Sequence, residues 1–213
     1  MKDKTDWNAY YLRPARSAKI TRRITANKLR RSFSRKINKS NLRVCELGGG
    51  NSCFIDQFLG MKNLIRYHVI DSNEYSMSLL TDRLGVNSAV TYEIRDLTLS
   101  REVPEKFDIV YSVGLIEHFD KEGTEKCIAA HLELCATGGV VVITFPTPTF
   151  PYRIIRFFAE MLNLWMFPDE RPLLFDEVER AVVAAGGEVV NKSINWLIGL
   201  TQGYVEVIKA GQG

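Results

Sequence analysis

The chain has 213 residues, 46% hydrophobic and 25% charged, which suits one globular domain with room for a substantial core. No run of about 18 uncharged apolar residues occurs, so no membrane-spanning helix is expected, and the polar start Met1 to Asp6 has no apolar stretch behind it to act as a secretory signal. The net charge of +3 hides an asymmetry: residues 1–43 carry fourteen Lys and Arg against two Asp, a net of +12, while residues 44–213 carry fourteen against 23 acids, a net of −9.

The basic segment, residues 1–40, reads as a helical arm. Ile20, Ile24, Leu29, Phe33 and Ile37 recur at about one helical turn, while Arg22, Arg23, Arg30, Arg31, Arg35 and Lys36 fall elsewhere. Trp7, Tyr10, Tyr11 and Leu12 precede it, and Pro14 suits a helix start. Two readings stay open: the apolar seam docks on the core with its charges merely solvated, or the bases form a working surface for phosphate or an anionic membrane. Deletion of residues 1–38 is expected to spare cofactor affinity but to impair acceptor use or solubility.

From residue 41 to residue 213, apolar runs alternate with helical patterns, which implies a parallel sheet with helices on both faces. Val44-Cys45-Glu46-Leu47 is a strand running into Gly48-Gly49-Gly50, with a helix expected over Ser52 to Leu59. Glycines at the carboxyl end of a strand let backbone N–H groups approach a ligand closely. The third glycine of a dinucleotide fingerprint is missing, because Cys53 stands there. A second strand, Tyr67 to Ile70, ends in Asp71, 21 residues after Gly50, a spacing that suits a carboxylate on ribose hydroxyls. A helix over Glu74 to Leu84 stops at Gly85. A third strand, Ala89 to Ile94, leads to Asp96-Leu97, and a fourth, Phe107 to Val113, leads to Gly114-Leu115-Ile116-Glu117-His118. A helix over Glu122 to Ala136 precedes Thr137-Gly138-Gly139 and a fifth strand to Phe145. Asp176 to Ala185 reads as the last long helix, with strands at Glu188 to Ile194 and Tyr204 to Lys209.

Residues 147–171 form an insert dense in Ile154, Phe157, Phe158, Met161, Leu162 and Trp165, and from Arg153 to Phe167 it is charged only at Arg153, Arg156 and Glu160. In a sheet of this kind it leaves at the ligand edge, so it covers a ligand pocket, packs on the amino-terminal helices, or does both. The four cysteines show no C-x-x-C spacing: Cys45 falls in a strand, and Cys53, Cys127 and Cys135 in expected helices, as reduced packed thiols. No metal signature is visible.

The Glu-x-Gly-x-Gly turn at Glu46 to Gly50, with the acid-ended strands and the Glu117-His118 segment in this order, resembles the class I S-adenosylmethionine (SAM)-dependent methyltransferases, in particular their small-molecule group. The resemblance implies a three-layer Rossmann-like fold with seven mostly parallel strands, an amino-terminal helical arm and a helical insert after the fifth strand. It implies SAM as cofactor, held by Glu46, Gly48, Gly49 and Gly50 at the methionine end. Asp71 and Ser72 would hold the ribose, Asp96 and Leu97 the adenine, and Ser112 and Gly114 the methyl side. His118 would be the catalytic base, or else support the pocket. The implied reaction is methylation, at oxygen, of a small-molecule or lipid-/glycan-linked acceptor by a cytoplasmic protein in peripheral contact with an anionic membrane. An RNA methyltransferase gripping nucleic acid with its basic arm, or a SAM-binding subunit without activity, are the alternatives. No Asn/Asp-Pro-Pro-aromatic signature follows the fourth strand, which disfavours amide and exocyclic amino nitrogens.

Overall fold

A computed structural model describes residues 4–12, 18–34, 36–99 and 105–210. Seven strands form one sheet: β1 (Leu42–Leu47), β2 (Leu64–Asp71), β3 (Val90–Ile94), β4 (Phe107–Val113), β5 (Cys135–Pro146), β6 (Gly187–Asn195) and β7 (Gln202–Lys209). Their order is β3-β2-β1-β4-β5-β7-β6. Strands β3 to β5 run parallel, while β7 lies antiparallel between β5 and β6. The order reverses between β1 and β4, which opens a crevice at their carboxyl ends, where open α/β sheets take ligands.

The pattern of the strands explains the two-sided core. Val44 and Cys45 are both fully buried, as are Ile109 and Val110 and Val141 and Val142, so the central strands read as continuous apolar runs. Alternate residues serve opposite layers. Cys45, Leu47, Val110, Val141 and Ile143 meet α4 (Lys121–Leu134) and α6 (Phe175–Ala184). Val44, Tyr67, Ile109, Tyr111 and Val142 meet α2 (Ala18–Phe33) and α3 (Glu74–Leu84). Capping fixes the helix ends: Asn73 accepts from the Ser76 amide, Asp120 from the Gly123 amide, and Gly85 at φ +59° closes α3.

The arm is part of this core. Leu29 and Phe33 of α2 are fully buried, and Phe33 packs 5.2 Å from Tyr111 and 5.6 Å from Phe58. The buried stripe is not wholly the expected apolar one. Thr25 donates to Gln202 and Ser32 to Glu206, Lys28 lies over the Tyr204 ring, and Ile20 is exposed. Pro14 and Arg35 lie outside the described residues.

The helix expected over Ser52 to Leu59 is a single 3₁₀ turn at Ile55–Gln57. Asn51 sits at φ +47°, and the Ser52 hydroxyl both donates to Glu46 and accepts from the Phe54 amide. These bonds hold the chain in a turn, while α2 already covers the sheet face that a helix here would fill. Cys53 therefore lies in an exposed turn, and Cys135 opens β5 instead of ending α4. Gly138, at φ +68°, lies within β5 where its pairing with β4 is irregular.

The insert contains α5 (Phe150–Met161), capped by Thr149 and with Pro151 in its first turn. The arm also carries a short helix ahead of α2, α1 (Trp7–Leu12).

Candidate active site

Glu46 stands one residue before the end of β1, in register with Val69 and Tyr111. Its carboxylate accepts from the Ser52 hydroxyl and from the Tyr67 hydroxyl, at 2.6 Å each. Burial pushes its pKa up to about 7, against the hydrogen bonds that pull it down. Glu46 thus braces the glycine turn from beneath, with each carboxylate oxygen already bonded within the protein.

The turn itself needs its glycines. Gly48 is at φ +67°, and a Cβ there would lie 2.8 Å from Leu115. A Cβ on Gly50 would fall 1.9 Å from the Ser76 Oγ. The Gly50 amide donates to Asp71 Oδ2 and the Asn73 amide to Oδ1, each at 2.8 Å. Every carboxylate oxygen has two lone-pair sites, so both still have one to offer a ligand. Asp71 is buried, which raises its pKa. Ser72 beside it is exposed.

The β4 end comes to the same crevice. Gly114, at φ +67°, donates its amide to Thr144. Glu117 is 2% exposed, its Oε2 finds no hydrogen-bond partner among the described residues, and Oε1 lies 3.3 Å from where a Cβ of Gly114 would be. Burial, with Glu170 and Asp169 nearby, pushes the Glu117 carboxyl well above the carboxylate range. His118 Nδ1 is 3.0 Å from Asp169 Oδ1, and burial lowers its pKa while Asp169 pulls it back up. Glu170 accepts from the Tyr152 hydroxyl and lies 3.6 Å from Arg156. Glu117, His118 and Glu170 each bring a ligand atom within 4.8 Å of the others, a set with the chemistry to hold a cation.

A roof closes over these groups. Trp7 of α1 meets His118 edge-on at 4.8 Å and Phe167 at 6.2 Å. Asp169 accepts from the amide and hydroxyl of Thr5, and Asn8 accepts from the Asn73 side chain. Tyr11 is half-buried beside Asp71 and Ser76, and its desolvation there raises its pKa.

No protein-family model matches the chain, and no curated protein matches it. Solved structures do. One is a chain of the complex between the Haloferax volcanii Trm112 methyltransferase activator and a methyltransferase, with a TM-score of 0.72 at 11% identity over 98% of this chain and 100% of that one. The N-methyltransferase NodS from Bradyrhizobium japonicum WM9, in complex with S-adenosyl-L-homocysteine, gives 0.67 at 14% identity over 89% and 87%. Magnesium protoporphyrin IX methyltransferase from Synechocystis PCC 6803, with the same product bound, gives 0.65 at 13% over 87% and 82%. The fold is that of the class I SAM-dependent methyltransferases.

Within this methyltransferase fold, Glu46, Gly48, Gly49, Gly50, Asp71, Gly114 and His118 all lie around the β1/β4 crevice. Three expected residues have side chains bonded or packed within the protein. The Ser112 hydroxyl is fully buried and donates to His131 Nε2, whose Nδ1–H donates to the Cys127 carbonyl, so Ser112 reaches the crevice only through its backbone. Asp96 is exposed and accepts from the amide and hydroxyl of Thr98, closing the turn after β3. Leu97 is buried among the core residues that meet α4. The sequence reading missed Thr5, Asn8, Phe167, Asp169 and Glu170. Only the crowding of Trp7, Tyr10 and Tyr11 ahead of Pro14 signals the roof. A shallow cavity of about 470 Å³, lined by Lys39, Arg43, Ile65, Lys106 and Asp108, lies at the opposite, amino-terminal edge of the strands and holds none of these groups.

Proposed function

We propose that the chain binds SAM in the β1/β4 crevice and moves its methyl group to the hydroxyl of a small-molecule or lipid-/glycan-linked acceptor. The observation that carries this reading is the His118–Asp169 pair at the mouth of a glycine turn. A hydroxyl acceptor must lose a proton as it is methylated. With Nδ1–H donated to Asp169, the Nε2 lone pair of a neutral imidazole is free to take that proton. Burial lowers the His118 pKa, which keeps the ring neutral at neutral pH. Asp169 then steadies the imidazolium, much as a buried aspartate orients a catalytic histidine in hydrolases.

The residues fit the cofactor. Asp71 keeps acceptor capacity for two ribose hydroxyls, Gly48 to Gly50 bring backbone to the ligand without a Cβ, and Glu46 holds that turn in place. Asp96 would face the adenine from the turn after β3, with Leu97 fixing that turn in the core. SAM supplies a methyl on a sulfonium, so it needs no further activation. The protein's part is to align the acceptor, exclude water beneath α1 and receive the proton. Half-buried Trp7, Tyr11 and Phe167 around the crevice support water exclusion.

Incubation with methyl-labelled SAM and fractionated cell extract tests the reading. Label should enter an alkali-stable ether in an organic-soluble or glycan fraction, and His118→Ala should abolish transfer while keeping SAM affinity by calorimetry. Label in nuclease-sensitive material would replace this acceptor class with RNA. No calorimetric binding of SAM at all would overturn the assignment.

A further inference from the structure

Helix α5 is inside out. Its polar side faces the protein: Tyr152 is buried and bonded to Glu170, and Arg156 bonds Tyr152, Glu160 and the Glu170 carbonyl. Its apolar side faces outward. Phe150, Ile154, Phe157, Phe158 and Met161 recur at i, i+4, i+7, i+8 and i+11, and Phe150 is 77% and Phe157 61% exposed. The face continues sideways. Gly199 lies 3.0 Å, measured from its would-be Cβ, from Ile155, and the loop around it exposes Trp196 and Leu197, the latter by 79%. Soluble chains rarely leave a contiguous apolar patch of this kind uncovered.

The charges around the patch choose its partner. From Phe150 to Phe167 the charged residues are Arg153, Arg156 and Glu160, and Glu160 is paired with Arg156 at 2.7 Å. The loop from Trp196 to Thr201 holds none. The Thr25–Gln202 bond sets α2 next to the end of that loop, so exposed Ile20 and Arg23 come from a segment whose net charge is +12. Two copies meeting here would bring two such segments together. An anionic bilayer instead offers hydrocarbon for the rings and headgroup charge for the arginines. At 12 residues, α5 is about 18 Å long and cannot span. It is suited to lie in the plane of the interface.

We propose that the outer face of α5, with Trp196 and Leu197, docks on an anionic membrane surface. The inference rests on this surface and not on the methyl-transfer reading. It also places the crevice against the bilayer, because the inner side of α5 holds Glu170, which lies beside His118.

The full chain should float with vesicles of equal parts phosphatidylethanolamine and phosphatidylglycerol, and not with phosphatidylcholine alone. Emission of a Trp7→Phe, Trp165→Phe variant, which keeps Trp196, should shift to the blue on binding. Phe157→Asp with Met161→Asp changes only exposed side chains, so the fold should persist, and partition should fall ~10-fold or more. SAM affinity by calorimetry should be the same for both proteins, which separates this test from the cofactor assignment. Failure of the unaltered chain to float, or equal flotation of the double variant, overturns the proposal. So does a dimer in light scattering that Phe157→Asp converts to monomer, since a second copy would then cover the face.

Discussion

Replacing Asp71 by Asn keeps its size and removes half of its accepting capacity. In the structure, Oδ2 accepts from the Gly50 amide and Oδ1 from the Asn73 amide, both at 2.8 Å, and the side chain is 9% exposed. An amide has one accepting oxygen, so its NH₂ must face one of these two N–H donors. A buried donor left without its acceptor costs about 1–3 kcal/mol. For a domain of this length each kcal/mol corresponds to roughly 2–4 °C in melting temperature, so Asp71→Asn should melt several degrees below the unaltered chain without any ligand. The strain falls on the Gly50 turn itself, so SAM affinity should drop as well. Differential scanning calorimetry gives the first number and titration calorimetry the second. An unchanged melting temperature would refute the bonding geometry at the turn, and unchanged SAM affinity would refute the ribose assignment, independently of one another.

Three further outcomes are expected. The methyl-transfer rate should fall as pH drops through a value below 6.5, where His118 gains its proton, and His118→Gln should lose that limb along with ~10²–10⁴-fold of rate; an unaltered acid limb in the variant would exclude His118 as the base. Glu46 has its pKa raised from 4.5 to about 7, so the native state keeps a proton that the unfolded chain loses, and this group's contribution, complete below pH 4.5, is lost as pH rises to about 7. That loss is about 3 kcal/mol, and urea melts across this range should show a flatter pH dependence for Glu46→Gln. Deleting residues 1–12 should leave a folded chain with weakened acceptor use, whereas deleting residues 1–38 should leave none in the soluble fraction. The longer cut removes Leu29 and Phe33, two fully buried side chains worth about 3 kcal/mol or more each.

The last outcome goes beyond the sequence expectation, which kept cofactor affinity in that truncation, and the reason lies in the seam. Fourteen basic residues made the amino-terminal segment look like an appendage, yet its buried stripe is half polar, with Thr25 and Ser32 bonded to β7. Hydrophobic periodicity alone cannot show such a seam. Where one face was buried in the usual way, the sequence was legible: α3 spans Glu74–Leu84 as expected, between an Asn cap and a glycine stop. The antiparallel β7 came from resemblance, since spacing does not reveal strand direction. The positions of the glycine turn, Asp71 and His118 along the carboxyl ends of the strands were legible because each follows a strand. Asp169 and Glu170 were not, because they reach the crevice from the carboxyl end of the insert, about 50 residues after His118. Ser112 was misread for a simpler reason: alternate residues of a buried strand face opposite layers, and its side points to α4.

The four thiols differ in a way that gives the molecule a built-in probe. Cys45, Cys127 and Cys135 are buried, and burial raises the pKa of each, so they stay protonated and shielded. Desolvation raises the Cys53 pKa as well, but its thiol alone of the four is exposed, on the turn three residues after Gly50. An alkylating reagent therefore marks the natural chain at one described position, on the rim of the crevice, with no engineered residue. The rate of that single modification reports how tightly the glycine turn is held, and a fluorescent adduct there would follow the turn in real time.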